Sequence, residues 1–150
     1  MEELRKILYA EDDPRDVELT LAAFEECNLA NEVVVVTDGQ QVLDYLCRQR
    51  ESEAPLPVLV LLDLKMPKLD GIEVLAAMKK DPALRAIPVV MLTSSKDEAD
   101  VMKSYSLGVN SYVVKPVDFT EFVGVVKHLG KFWAVINHLP SEYPVKDGAR

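Results

Sequence analysis

The chain has 150 residues, of which 49% are hydrophobic and 28% charged, so it can bury an ordinary single-domain core and is not of disordered composition. Its net charge of -8 argues against a nucleic-acid binder and against an anionic membrane surface as partner. The longest apolar run, Pro57 to Leu62, is far shorter than the roughly 20 residues that span a bilayer. The first residues, Met1 to Lys6, are acidic and lack a signal-peptide core, and Cys27 and Cys47 have no close spacing, so reduced thiols in a cytoplasmic protein are expected. His128 and His138 both lie late in the chain, which disfavours a histidine-based site.

Apolar runs and helical periods alternate along the chain. A first run, Ile7–Ala10, is followed by Val17, Leu21 and Phe24 at helical spacing, with Pro14 suited to the first turn. A second run, Val33–Thr37, precedes a helical stretch carrying Val42, Leu43 and Leu46. A third, Val58–Leu62, precedes Ile72, Leu75, Ala76 and Met78, a helix stopping near Asp81-Pro82. The fourth run is Val89–Thr93, and the helix after it, Asp97 to Leu107, is expected to end at Gly108. The fifth is Tyr112–Val114; Asp118, with Glu121 at the capping-box position, opens a helix that continues through Phe122, Val126, Leu129, Trp133 and Ile136. Four of the five runs are unbroken Val, Ile or Leu-rich stretches, as in strands buried on both faces. The order βαβαβαβαβα predicts a doubly wound parallel sheet within one α/β domain over residues 1–139. Residues 140–150 are expected to form a flexible tail.

Ligands of such sheets bind beyond the carboxyl ends of the strands. There the sequence puts Glu11-Asp12-Asp13, Asp63, Thr93-Ser94-Ser95 and Lys115-Pro116; the second run ends at Asp38-Gly39 and offers little beyond a turn. Carboxylates crowded at one edge must protonate, pair with a cation or bind a metal. Oxygen-only ligands suit a hard ion such as Mg²⁺. A carboxylate beside such an ion can attack a phosphoryl group, while an ammonium and a hydroxyl receive the charge on its oxygens. Asp63, Lys115 and Thr93 can fill those three roles.

Four segments, Ile7 to Asp13, Leu62 to Gly71, Pro88 to Ser94 and Tyr112 to Pro116, resemble in order the signature segments of bacterial response-regulator receiver domains, the chemotaxis-regulator-like family. The resemblance runs from about Lys6 to Leu129. It implies a flavodoxin-like (βα)5 fold with strand order 2-1-3-4-5 and an extended last helix. It implies that Asp63 accepts a phosphoryl group from a sensor histidine kinase, assisted by Thr93 and Lys115. Glu11, Asp12 and Asp63, with the backbone carbonyl of Lys65, would hold Mg²⁺. Tyr112 would be the switch aromatic, and the Lys115-Pro116 bond would be cis. Asp13 is assigned no metal contact; the Lys65 and Ser95 side chains would modulate phosphoryl lifetime. Tyr105 to Tyr112, Pro116 to Phe119 and Leu129 to Trp133 are further similar to stand-alone receivers that partner bacterial phytochromes and related sensor kinases.

About 20 residues follow Gly130, too few for a DNA-binding module, so output through protein contact is expected. Phe132, Trp133 and Ile136 lie beyond the ordinary reach of such a domain's last helix. A homodimer is expected on the face formed by the fourth helix, fifth strand and fifth helix, including Phe132 and Trp133. No nucleic acid or membrane partner is expected. The protein is read as a phosphoacceptor switch that assists its own phosphoryl transfer and dephosphorylation rather than as a conventional enzyme. An aspartyl phosphatase would need a second Asp where Lys65 stands, and a flavodoxin-like binder would need a Ser, Thr or Gly-rich loop in place of Glu11-Asp12-Asp13. A phosphorylation-independent adaptor with the same fold is the alternative.

Overall fold

The computed structural model describes residues 4–139; the expected tail, 140–150, lies outside them. Five strands, β1 (Ile7–Ala10), β2 (Val33–Val36), β3 (Leu59–Leu62), β4 (Val89–Thr93) and β5 (Ser111–Val114), form one parallel sheet in the order β2-β1-β3-β4-β5. They alternate with α1 (Pro14–Glu26), α2 (Gly39–Glu51), α3 (Gly71–Lys80), α4 (Glu98–Ser106) and α5 (Phe119–Gly130). This is the flavodoxin-like order expected from the sequence.

The two faces of the sheet fill separate cores. Because side chains alternate along a strand, Leu8 and Ala10 meet Val42 and Leu46 of α2 and Val74, Leu75 and Met78 of α3. Ile7 and Tyr9 point the other way, towards Ala23 and Phe24 of α1 and Phe122, Val126 and Leu129 of α5. Strands β1, β3 and β4 are buried at every residue. The edge strands are not: β5 is half-buried throughout and β2 is buried only at Val36. Valine-rich composition cannot distinguish an edge strand from a central one, since only the strand order decides which has a neighbour on each side.

The buried face of α1 also departs from the apolar spacing. Thr20, Ala23 and Phe24 are buried, whereas Leu21 is 36% exposed. Thr20 turns inward because its hydroxyl meets the Tyr9 hydroxyl at 3.0 Å. That pairing lets two polar groups enter the core together.

The last helix is extended, as expected, but its winding changes. Residues Lys131–Ile136 form a π-helical turn, closed by Asn137 N donating to Phe132 O at 2.6 Å. The change begins after Gly130, where a Cβ would stand 2.7 Å from the Phe24 ring. Beyond it Trp133 is half-buried and stacks edge-on against Phe132 at 5.1 Å, while Val135 and Ile136 are exposed.

Candidate functional site

Four strand ends converge, and the register explains why. Ala10 pairs with Leu62, so Glu11 and Asp63 leave adjacent strands side by side. Thr93 pairs with Val114, which delivers Lys115 to the same edge. Backbone bonds hold the chains in register past the strands: Asp63 N donates to Ala10 O at 3.0 Å and Lys115 N to Thr93 O at 2.7 Å. Helix α1 begins at once because Asp13 caps it, accepting from Arg15 N at 2.9 Å, with Pro14 in the first turn. Asp13 is therefore a helix cap. Helix α3 is opened by a full capping box between Asp70 and Glu73.

Carboxylate oxygens of Glu11, Asp12 and Asp63 lie within 4.8 Å of one another. Glu11 and Asp63 are buried and Asp12 is exposed. The Lys115 ammonium donates to Glu11 Oε1 at 2.5 Å, to Asp16 Oδ2 at 2.7 Å and to Asp63 Oδ2 at 3.2 Å. Burial would lower the lysine's pKa, but the Asp16 and Glu11 carboxylates outweigh it and hold the ammonium charged. Burial and the neighbouring Asp63 carboxylate push Glu11 up too, to about 8. The Lys115 ammonium therefore faces Glu11, Asp16 and Asp63, with Asp12 beside Glu11 and Asp63. The surplus of hard oxygen charge fits a divalent cation better than any other partner.

The other expected residues fall around this cluster. Thr93 is buried at the end of β4, and its hydroxyl accepts from Ser95 N at 3.3 Å. Lys65 lies two residues past Asp63 in the loop leading to α3, with an exposed side chain. Ser95 is engaged with α4, its hydroxyl donating to Asp100 Oδ2 at 2.6 Å. Tyr112 is half-buried on the edge strand, and its hydroxyl donates to Ser95 O at 3.0 Å. It is thereby tied to the loop that follows Thr93.

The model of the response regulator receiver domain family matches residues 7–127. The chain belongs to this family. Response regulator Rcp1 of Synechocystis is 39% identical over 136 residues, spanning 90% of this chain and 92% of Rcp1. A manganese-bound structure of Rcp1 superposes with a TM-score of 0.83. The phosphorylated cyanobacterial phytochrome response regulator RcpA is 41% identical with a TM-score of 0.85, covering 93% of this chain and all of RcpA. The bacteriophytochrome response regulator RtBRR is 56% identical with a TM-score of 0.72, covering 94% of this chain and 87% of RtBRR. The protein is thus a receiver-domain response regulator of phosphorelay signalling. Receivers are switches that partner sensor kinases and bind a divalent metal.

Two receiver features differ from the sequence expectation. The Lys115-Pro116 bond is trans, as is every peptide bond among the described residues. Trans is favoured before proline by about 0.5–1 kcal/mol, and here the Lys115 ammonium reaches its three carboxylates from the trans form. Asp38-Gly39 is also more than a turn. Asp38 is buried, caps α2 through Gln41 N at 2.8 Å and lies 3.7 Å from the Lys68 ammonium. The Gln41 backbone bond holds its carboxyl below the usual range. A Cβ on Gly39 would stand 2.1 Å from Leu69 O, so this glycine seats the loop that carries Lys65.

Sequence reasoning missed Asp16. It lies one turn into α1, where an acidic residue is commonplace because it favours the helix N-terminus. Only the tertiary placement of α1, which packs against α5, brings it to Lys115. Among the described residues no helix is long and apolar enough to cross a membrane.

Proposed function

We propose that Asp63 is the phosphoacceptor. A phosphohistidine on a sensor kinase supplies the phosphoryl group: its P–N bond breaks, a P–O bond forms to an Asp63 carboxylate oxygen, and the ring leaves as neutral imidazole, keeping the proton already on its other nitrogen. Lys115 neutralises charge on the transferred oxygens, and Thr93 donates a hydrogen bond to them. Glu11, Asp12, Asp63 and the Lys65 carbonyl hold Mg²⁺, which lowers the repulsion between the carboxylates and the incoming anion. Tyr112 follows the loop after Thr93 and transmits its movement to the face built by α4, β5 and α5. The same site assists hydrolysis of the acyl phosphate. The observation carrying this reading is the Lys115 ammonium held between buried Glu11 and Asp63 at one sheet edge.

The likeness to RcpA and RtBRR, a phytochrome and a bacteriophytochrome response regulator, supports a phytochrome-type sensor histidine kinase as the donor; the proposed setting is the cytoplasm. Output runs through protein contacts of the receiver domain, with no nucleic acid or membrane as target. A homodimer on the α4-β5-α5 face is supported by exposed Phe132, Val135 and Ile136 and by a shallow depression of about 320 Å³. Ser111, Val125, Leu129 and Trp133 are among the residues lining it. A monomer in sedimentation at tens of micromolar, phosphorylated or not, refutes the dimer.

Intact-mass spectrometry after incubation with acetyl phosphate tests the acceptor. One phosphoryl group should be added, dependent on Mg²⁺ and absent from Asp63→Asn. Full incorporation in Asp63→Asn overturns the assignment.

A further inference from the structure

We propose that Asp16 is a positioning residue that holds the Lys115 ammonium in the unphosphorylated protein, and that a phosphoryl group on Asp63 must draw the lysine off it. The inference rests on the proposed role of Asp63 as acceptor.

The geometry separates Asp16 from the other two partners of Lys115. An ammonium has three donors, and here all three are spent, on Glu11 at 2.5 Å, Asp16 at 2.7 Å and Asp63 at 3.2 Å. The longest of the three goes to the acceptor. Glu11 and Asp63 also belong to the carboxylate cluster able to hold a cation, whereas Asp16 does not. A cation that engages Glu11 and Asp63 competes for the oxygens facing the lysine and leaves Asp16 as its dedicated anion.

Asp16 is also a firm anchor. Its own carbonyl accepts from the Tyr9 hydroxyl at 3.4 Å, and the same hydroxyl pairs with Thr20 one turn on at 3.0 Å. Tyr9 is 1% exposed on β1, so α1 is pinned to the sheet at the level of the site. The carboxylate therefore cannot follow the lysine far. A phosphoryl group on Asp63 needs N–H donors from Lys115, and the bond to Asp16, the one carboxylate of the three outside the cluster, opposes the lysine's shift towards that group. Asp16 then sets how readily the lysine is released, and through it the balance between the unphosphorylated and phosphorylated forms.

The test uses beryllofluoride with saturating Mg²⁺ as a stable phosphoryl stand-in, its affinity read by ¹⁹F NMR. Replacing a charge-assisted bond to the lysine by a neutral one, in Asp16→Asn, should tighten beryllofluoride binding by about tenfold. Asp16→Glu should return it towards the parent value. A general effect of removing negative charge would act without the lysine, so the cycle with Lys115→Met decides the route: Asp16→Asn should change affinity by less than about twofold in that background. Asp16→Ser, which is shorter and also neutral, serves if the asparagine variant folds poorly by thermal unfolding. Binding that weakens, stays within twofold of the parent, or tightens equally in the Lys115→Met background overturns the proposal. Asp63→Asn is the separate control. If it still binds beryllofluoride the acceptor assignment fails; if it does not and Asp16→Asn has no effect, only the inference about Asp16 fails.

Discussion

Replacing Gly71 by alanine puts the closeness of the site's backbone to a test. Gly71 is the first residue of α3, and its N–H donates to Leu64 O at 2.7 Å. A Cβ there would stand 2.4 Å from Asp63 O and 3.0 Å from Leu64 Cα. Both neighbours are backbone, so no side chain can swing aside. The carbonyl must retreat by about 1 Å to reach ordinary contact at 3.4 Å. Overpacking of this kind costs about 1–3 kcal/mol. The gain in helix propensity from glycine to alanine offsets at most about 1 kcal/mol of it. For a chain of this length a net loss of about 1–2 kcal/mol lowers Tm by about 2–8 °C. Gly124 supplies the comparison within the same molecule. It lies in the middle of α5, and its Cβ would meet nothing within 4 Å. There the same substitution should raise Tm by about 1–4 °C through helix propensity alone. Thermal unfolding by circular dichroism reads both, and acetyl phosphate labelling should slow only in Gly71→Ala, because the displaced carbonyl belongs to Asp63. A Gly71→Ala protein as stable as the parent would refute the reasoning.

Three further outcomes follow from the packing and charge. Thr20→Val should cost about 1–3 kcal/mol in urea unfolding, since the buried Tyr9 hydroxyl keeps only the 3.4 Å contact to Asp16 O; adding Tyr9→Phe should cost less than the two changes separately. Glu11 is raised from its unfolded value of 4.5 to about 8, so the metal-free protein holds that stability fully below 4.5 and loses it as pH rises through 8. With Glu11 as a ligand in the proposed Mg²⁺ site, Mg²⁺ affinity should correspondingly weaken by roughly tenfold for each pH unit below 8, because Glu11 would have to release its proton; titration calorimetry giving a flat profile between pH 6 and 9 would count against it. Val135→Glu with Ile136→Glu should leave Tm within about 2 °C of the parent, since both side chains are more than half exposed, while abolishing self-association in sedimentation.

Much of the site was legible because most of its residues lie at the end of a strand or directly past it. Glu11, Asp63, Thr93 and Lys115 could be placed from the ends of apolar runs, since a parallel sheet brings every carboxyl end to one edge. Asp16 could not be placed in that way. It sits within a helix, and its meeting with Lys115, 99 residues away, depends on how α1 leans against the sheet. Gly39 reads in the sequence as a turn residue and Gly71 carries no signal of its own, yet the importance of both is the carbonyls of Leu69 and Asp63 that press against them.

Local chemistry alone therefore determined the five strands, the five helices, the cap at Asp118 and the carboxylate-rich edge. Hydrophobic period, proline position and capping residues act within a few positions along the chain, and their signals survive without any knowledge of the fold. Tertiary structure decided which strands became edges, which face of α1 was buried, that Leu21 stays at the surface, that the Lys115-Pro116 bond is trans and which carboxylates share the one ammonium. Those outcomes depend on distances between segments far apart in sequence, and such distances exist only once the sheet and its two helical layers have closed around the core.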